Sequence, residues 1–373
     1  MRKKLTISID TRSWPKSKVP VKLKKLAGPW VFDLRYALLH TALRTRPPSL
    51  NGFDLNNTWA WLRYGHAFTK GRNLRLRREW SDIDPHQKTV LSDELGMGLT
   101  TYLLAQKLKF AEFHDTLHFI RSVAPGSLLL KKIAKNGAAK SPDFVGIDKA
   151  GNISLIECKG TQSSCRALES ALKTGISQKY NVTASGRKIV HSVVMGLFVP
   201  QFTSKEDASI RICDPSWAEI ADLLSNATAS DVLISSAKLA LARELSFLEM
   251  PATIEALINF PTRSVSSDEE SRIRAVNEIA RALNYSEDGR RRIDREISIP
   301  TSEGEQKVVR GSVSCTNEYL AVLQTAIADS NSKTIIQMSK KMNRIGWKHE
   351  SEDGVAIIKN SLGFQMALEV LNG

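Results

Sequence analysis

A short β-hairpin near the middle of the chain constrains the fold more than any other feature. The segments DFVGI (143–147) and ISLIECK (153–159) are apolar and β-rich, and they flank a turn over 148–152. Side chains alternate between the two faces of a strand, so Glu157 and Lys159 should emerge side by side. Antiparallel pairing brings Asp143, at the start of the first strand, next to them. The pattern therefore predicts two carboxylates and one ammonium group in close proximity.

These residue types suit the hydrolysis of phosphodiester bonds. Carboxylates bind Mg²⁺, a hard cation that keeps several waters and accepts phosphate oxygens as further ligands. A lysine beside the ion can orient or deprotonate the attacking water and offset charge on the scissile phosphate. The alternative is a surface hairpin with an incidental Glu157–Lys159 salt bridge, which would contribute little. An apolar strand ending in paired charges is costly inside a sheet, which favours the functional interpretation.

The surrounding region, 86–215, has the pattern of an α/β domain. Leu91, Leu95 and Leu99 recur at helical spacing, which predicts a helix over 90–110. The elements predicted after it are a strand at 116–123, the hairpin, a helix at 164–179, a strand at 188–200 and a strand at 209–214.

Pro142-Asp143, followed after thirteen residues by Glu157-Cys158-Lys159, resembles the motif of the PD-(D/E)XK nuclease superfamily. The resemblance covers roughly 90–215, and the predicted element order is similar to the αβββαβ core of that restriction-endonuclease-like fold. It implies that Asp143 and Glu157 bind Mg²⁺, for which Mn²⁺ could substitute. Lys159 would then activate the water or stabilise charge.

The resemblance implies two further residues. Members of the family often carry a glutamate on the first core helix, and Glu94 would take that place as an auxiliary metal ligand. Some members also place a Gln and a Tyr four positions apart on the helix after the motif. Gln178 and Tyr180 are two apart here, and Gln178 is the expected nucleic-acid contact.

Positive charge is concentrated in one part of the chain. Residues 1–140 hold 26 Lys and Arg against 10 Asp and Glu, whereas residues 141–373 hold 27 against 29. A field of that size attracts polyanions, chiefly nucleic acid, although a solubility charge is the alternative. The segment NLRLRREW alternates leucine with arginine, which predicts a strand with one basic face. The arginines expected to contact phosphates are Arg72, Arg75, Arg77 and Arg78.

These patterns predict three regions: a basic N-terminal subdomain (1–85), the nuclease core (86–215) and a mostly helical C-terminal region (216–373). Helices are predicted in the last region near 217–226, 231–247 and 268–284, with a hairpin and a short strand between or after them.

Several classes of protein are disfavoured by the sequence. The chain has no apolar run of the ~18 residues that a membrane span needs, its start is too polar for a secretory signal, and it contains no phosphate-binding G-x-x-x-x-G-K-[ST] loop. The four cysteines match no zinc spacing, and His114 and His118 lack the glutamate of a zinc protease motif. A cytoplasmic location is expected.

The predicted function is Mg²⁺-dependent endonucleolytic cleavage of DNA, chiefly double-stranded. The resemblance suggests a role in restriction, antiviral defence, repair or transposition. A homodimer or larger complex would supply the two sites that cutting both strands needs. Two alternatives stay open: an RNA nuclease, and a nucleic-acid-binding or scaffold subunit whose nuclease pocket is partner-activated or unused.

Overall fold

The chain folds into two β-sheets with helices packed against them. The computed structural model describes residues 1–14, 16, 18–45, 62, 64–123, 141–148, 152–179, 189–214, 229–259, 269–300, 306–329, 333–335, 337–338, 341 and 347–371. Within these ranges the larger sheet is mixed and has seven strands, and the second is antiparallel and has five.

The helices of the described ranges are α1 (Val21–Lys24), α2 (Leu34–Thr45), α3 (Pro85–Leu108), α4 (Thr116–Val123), α5 (Cys165–Lys179), α6 (Ala229–Phe247), α7 (Pro251–Asn259), α8 (Glu269–Asn284) and α9 (Asn317–Ala328). The strands are β1 (Arg2–Ile9), β2 (Gly28–Asp33), β3 (Phe110–Asp115), β4 (Phe144–Asp148), β5 (Ile153–Thr161), β6 (Ile189–Phe198), β7 (Ser209–Cys213), β8 (Arg290–Pro300), β9 (Gln306–Thr316), β10 (Lys348–Glu352), β11 (Val355–Lys359) and β12 (Gln365–Leu371).

The seven-stranded sheet has the order β2-β1-β7-β6-β5-β4-β3. Strands β3, β4 and β5 pair antiparallel, β6 runs parallel to β5, and β7 returns antiparallel to β6. From α3 to β6 the chain runs helix, strand, helix, two strands, helix and strand. Helix α4 therefore stands between β3 and β4, where the predicted order of helix, three strands, helix and strand has no helix. The predicted hairpin at 143–159 is confirmed as β4 and β5.

Helices α3 and α5 cover opposite faces of β5 at close range. A Cβ added at Gly160 would stand 1.7 Å from the carbonyl oxygen of Ser92 on α3, so only glycine fits there. On the other face, a Cβ added at Gly175 of α5 would stand 3.1 Å from Cγ of Glu157. Glu157 and Lys159 therefore lie on the α5 face of the sheet, as the alternation of side chains requires.

The strand predicted at 116–123 is wrong, because this segment forms helix α4. The strand is the preceding segment, β3, in which the residues from Phe110 to His114 are all buried. The Asp115 carboxylate accepts a hydrogen bond from the backbone amide of His118 at 2.9 Å, which caps the start of the helix. Phe119, Ile120 and Val123 then form one buried face at helical spacing.

The strand predicted over NLRLRREW is also wrong. This segment makes only isolated bridges, Lys4 with Asn73 and Phe68 with Leu76, and continues into a 3₁₀ helix at Arg78–Asp82. The two leucines are nevertheless buried, so the alternation reflects burial without a regular strand.

The N-terminal region shares the large sheet with the predicted core. Strand β1 pairs antiparallel with β2 and parallel with β7, so the sheet runs across the predicted boundary at 85/86. One hydrophobic cluster also joins β1 to the second sheet, since it includes both Leu5 and Leu368.

The prediction of a mostly helical C-terminal region needs correction. Four helices, α6 to α9, are present, but the region also forms the five-stranded sheet in the order β10-β11-β12-β9-β8. The predicted helices at 231–247 and 268–284 are confirmed as α6 and α8, whereas the one near 217–226 lies outside the described residues. Strand β10, with the sequence KHESE, contains no apolar run by which it could be recognised, whereas β12 is apolar at five of its seven positions and was not predicted.

Helix α3 is the longest helix of the described ranges, with 24 residues, or about 36 Å of rise. Its charged residues, Asp93 and Glu94 among them, interrupt the apolar positions. None of the helices in the described part of the chain is both long and apolar enough to cross a membrane.

Candidate active site

The structure brings together the three side chains of the predicted motif at adjacent strand ends. Phe144 on β4 pairs with Ile156 on β5, and one further step of this register sets Asp143 opposite Glu157. The Asp143 Oδ2 atom accepts a hydrogen bond of 2.7 Å from the backbone amide of Cys158, which orients the carboxylate. The Lys159 Nζ atom lies 2.5 Å from Oε1 of Glu157. Two carboxylates and one ammonium group therefore share one small site.

The Glu157 carboxylate is completely buried, with 0% of the residue exposed. Burial, together with the nearby charge of Asp143, raises the pKa of Glu157 to about 7, although Lys159 opposes the shift. Among the described residues no donor reaches Oε2 with good hydrogen-bond geometry, although the Asp143 amide is near enough to lower the pKa. A buried carboxylate oxygen without a well-placed donor is costly, and a cation would compensate for it.

The pKa values of Asp143 and Lys159 are shifted by burial and by the charges around them. Burial raises the pKa of Asp143, while the Cys158 amide and the Lys159 ammonium group oppose that rise. Burial alone would lower the pKa of Lys159, but the neighbouring carboxylates of Glu157 and Asp143 outweigh it and raise the pKa. Lys159 therefore remains a cation between two acidic groups.

A cavity of about 300 Å³ opens beside Asp143, and Glu94 of α3 lines it too. The structure thus places Glu94 at the same cavity as Asp143, whereas Glu157 and Lys159 are not among the residues that line it. The adjacent Asp93 interacts electrostatically with Lys159. Burial raises the pKa of Asp93, and the positive charge of Lys159 opposes that rise.

Six further polar residues among those described line the cavity, and none of them was assigned to the site from the sequence, although the two histidines were considered for a zinc motif. They come from α2, β3, α4 and α6, which are far apart along the chain: Arg44, Thr45, His114, Asp115, His118 and Arg243. Asp115 and His118 form a pair in which the carboxylate lies 2.8 Å from Nδ1 of the imidazole. In the sequence, Asp115 and His118 are marked only by their spacing of three residues. No sequence pattern marks the two arginines.

Close packing of α2 against α3 places Arg44 at the cavity. A Cβ added at Gly98 of α3 would stand 1.9 Å from Oγ1 of Thr41, so glycine lets α2 and α3 approach each other closely. Arg44 follows Thr41 by about one helical turn, and Glu94 precedes Gly98 by about one turn. The helix contact therefore places both side chains near the same wall.

Helix α6 is anchored from its other side. Glu244, next to Arg243, accepts hydrogen bonds from the Tyr319 hydroxyl at 3.0 Å and from Nδ2 of Asn360 at 2.9 Å. Burial raises the pKa of Glu244 to about 8, and the charge of Glu112 contributes to that rise. This buried network holds α6 against the C-terminal part of the fold and so fixes the position of Arg243.

The donor set fits a hard cation with few protein ligands. Within the described residues no group of three or more His, Cys, Asp or Glu side chains is assembled for metal binding, so Asp143, Glu157 and Glu94 do not form a set of three ligands there. Mg²⁺ is commonly held by one or two carboxylates, with waters and substrate phosphates completing its shell. Asp143 and Glu157 satisfy that requirement.

The chain matches no protein-family model, no curated protein and no solved structure in three comparisons.

The basic residues predicted to contact nucleic acid lie in two kinds of environment. Arg75 donates to the carbonyl oxygens of Gln201 at 3.0 Å and Glu206 at 2.9 Å, so its guanidinium stabilises the loop before β7. Arg77 pairs with Glu79 at 3.0 Å. The other two predicted contacts, Arg72 and Arg78, are exposed. The side chain of Gln178 and the whole of Tyr180 lie outside the described residues.

Proposed function

We propose that the protein is a Mg²⁺-dependent nuclease that hydrolyses phosphodiester bonds in DNA. The observation that carries the proposal is the convergence of the buried carboxylates of Asp143 and Glu157 with the Lys159 ammonium group. The resemblance to the PD-(D/E)XK superfamily supports it further, because the elements from α3 to β6 are similar to the αβββαβ core of that family, with α4 inserted between β3 and β4.

Each residue of the site has a distinct role in this proposal. Asp143 and Glu157 would hold the Mg²⁺ ion, with Glu94 as an auxiliary ligand from α3. When bound by these residues, the ion would supply Lewis-acid chemistry, that is, a lower pKa for a bound water and stabilisation of negative charge on the phosphate. Lys159, held in place by Glu157, donates hydrogen bonds to the attacking water or to a phosphate oxygen. The buried surroundings exclude bulk water, which strengthens these electrostatic interactions.

The proposal is tested by incubating the purified chain with supercoiled plasmid, linear duplex, single-stranded DNA and RNA. Cleavage of DNA is expected with Mg²⁺ or Mn²⁺, and no cleavage is expected in EDTA. Tight binding of DNA without cleavage of any substrate would favour the binding or scaffold alternative. Preferential cleavage of RNA would favour the RNA nuclease, and cleavage that persists in EDTA would contradict the metal-dependent mechanism.

The exposed arginines Arg72 and Arg78 are proposed to contact the phosphate backbone, together with the basic excess of residues 1–140. Replacing both by Glu should weaken binding to all DNA sequences alike. The slope of log K against log salt should become shallower by about 0.9 for each phosphate that the protein no longer neutralises, because fewer counterions are released. Fluorescence anisotropy at several salt concentrations measures this slope. Arg281→Glu, an exposed site on α8, is the matched control, and an equal effect there would argue against a specific surface.

A further inference from the structure

The cavity beside Asp143 has a cationic side built from two buried arginines. Arg44 is 6% exposed and Arg243 is 4% exposed, and both line the cavity. Both donate from Nη1 to the carbonyl oxygen of Phe113, at 2.8 Å from Arg44 and 3.1 Å from Arg243. Arg44 also lies over the Phe113 ring, with its guanidinium carbon 4.9 Å from the ring centre. Two guanidinium groups therefore converge on one backbone carbonyl.

The cavity wall also carries three carboxylates, those of Glu94, Asp115 and Asp143, but within the described residues none of them forms an ion pair with either arginine. Arg243 forms a buried ion pair with Glu112, in which Nη2 lies 2.7 Å from Oε2. Within the described part of the chain, no carboxylate oxygen lies within 4.0 Å of a guanidinium nitrogen of Arg44. The Nε atoms of both arginines also lack a hydrogen-bond partner there. A buried cation without a counterion is costly, because it loses its hydration without gaining a full electrostatic partner.

We propose that this cavity binds a phosphate group of the nucleic-acid strand held at the active site, with Arg44 and Arg243 as its ligands. The inference rests on the nuclease function proposed above and names a second contact for the same substrate. The planar guanidinium fork matches phosphate oxygens and donates strong charge-assisted hydrogen bonds. The cavity volume of about 300 Å³ lies at the lower end of small-ligand pockets. The phosphate is either a terminal monoester at a strand end or an internal diester.

Binding of short DNA probes separates these possibilities without requiring cleavage. The full chain carrying Asp143→Asn would be titrated in EDTA with one single-stranded sequence in three forms. These forms end in a 5′-phosphate, a 3′-phosphate or hydroxyl groups only. The test variant adds Arg44→Met, which keeps the length of the side chain but removes its charge. The matched control adds Arg35→Met, since Arg35 lies on the same helix but pairs with Asp33 and does not line the cavity.

If the cavity takes a terminal phosphate, the parent should bind one phosphate-ended probe about ten-fold more tightly than the hydroxyl-ended probe. Arg44→Met should remove that preference. If the cavity takes an internal diester, all probes should bind alike and Arg44→Met should weaken all of them by about ten-fold. Arg35→Met should leave every affinity unchanged.

Unchanged binding of every probe by a folded Arg44→Met variant would overturn the cavity assignment. If that variant does not fold, the cavity assignment is tested on the unmutated protein. In EDTA, inorganic phosphate should then raise its melting temperature above that in chloride of equal ionic strength, and no rise would overturn the assignment. The two proposals also fail separately. Arg44-dependent binding without any cleavage contradicts the nuclease alone, whereas cleavage with Arg44-independent binding contradicts the cavity alone.

Discussion

Asp143→Asn and Glu157→Gln should each lower the rate of DNA cleavage by on the order of a hundred- to a thousand-fold without unfolding the protein. Each substitution removes a proposed metal ligand but keeps the size of the side chain. In Asp143→Asn, the amide oxygen of the new side chain can still accept the hydrogen bond from the Cys158 amide. Glu157→Gln removes a charge from a completely buried position but also removes the ion-pair partner of Lys159, so the two effects oppose each other and the melting temperature should change little.

The measurement is kcat/KM on plasmid DNA at saturating Mg²⁺, with circular dichroism and thermal unfolding as tests of the fold. Asp148→Asn is the matched control, because Asp148 lies at the opposite end of β4 and binds Asn152 of the turn. Its cleavage rate should stay within a few-fold of the wild type. A wild-type rate for Asp143→Asn or Glu157→Gln would show that the residue is not a metal ligand.

Gly160→Ala should lower the free energy of unfolding by about 3 kcal/mol or more, toward the upper end of overpacking effects. The new Cβ would stand 1.7 Å from the carbonyl oxygen of Ser92 and 2.4 Å from its carbonyl carbon. These are backbone atoms of α3, so no side-chain rotation can relieve the clash and the whole helix has to move. Because α3 carries Glu94 to the cavity, cleavage should fall together with stability.

Denaturant unfolding of the wild type and of Gly160→Ala measures this effect, which should appear as a lower midpoint concentration for the variant. Gly71→Ala is the matched control, since a Cβ added at Gly71 meets no atom within 4 Å. Its midpoint should remain close to that of the wild type. An unchanged midpoint for Gly160→Ala would mean that α3 does not approach β5 as closely as the contacts around Ser92 require.

The motif of the candidate site was predictable because its geometry is local. Asp143, Glu157 and Lys159 lie on two strands joined by a short turn, so alternation of side chains and antiparallel pairing determine their proximity. The flanking helices α3 and α5 were predictable for a similar reason, because their apolar residues recur at helical spacing within one segment.

The rest of the site depends on contacts between distant segments, which periodicity does not encode. Arg44 and Arg243 meet at the carbonyl of Phe113, although about 200 residues separate the two arginines along the chain. The helix at 116–123 was misread because its aromatic and β-branched residues favour a strand, whereas the Asp115 cap favours a helix. Arg75 was predicted to contact substrate, but its partners are backbone carbonyls more than 120 residues away.

The pairing of β1 with β7 has a consequence for synthesis of the chain on the ribosome. Strand β1 can pair early with β2, but its other edge pairs with β7, in which Ser209 lies about 200 residues after Thr6. At about 5–20 residues per second, that edge waits on the order of 10–40 s for its partner. An unpaired strand edge can pair with strands of other nascent chains, and charged residues such as lysine and arginine make that pairing less favourable. The basic start of β1, Arg2-Lys3-Lys4, lies just before the residues that pair with β7, and its positive charge should discourage such association by electrostatic repulsion.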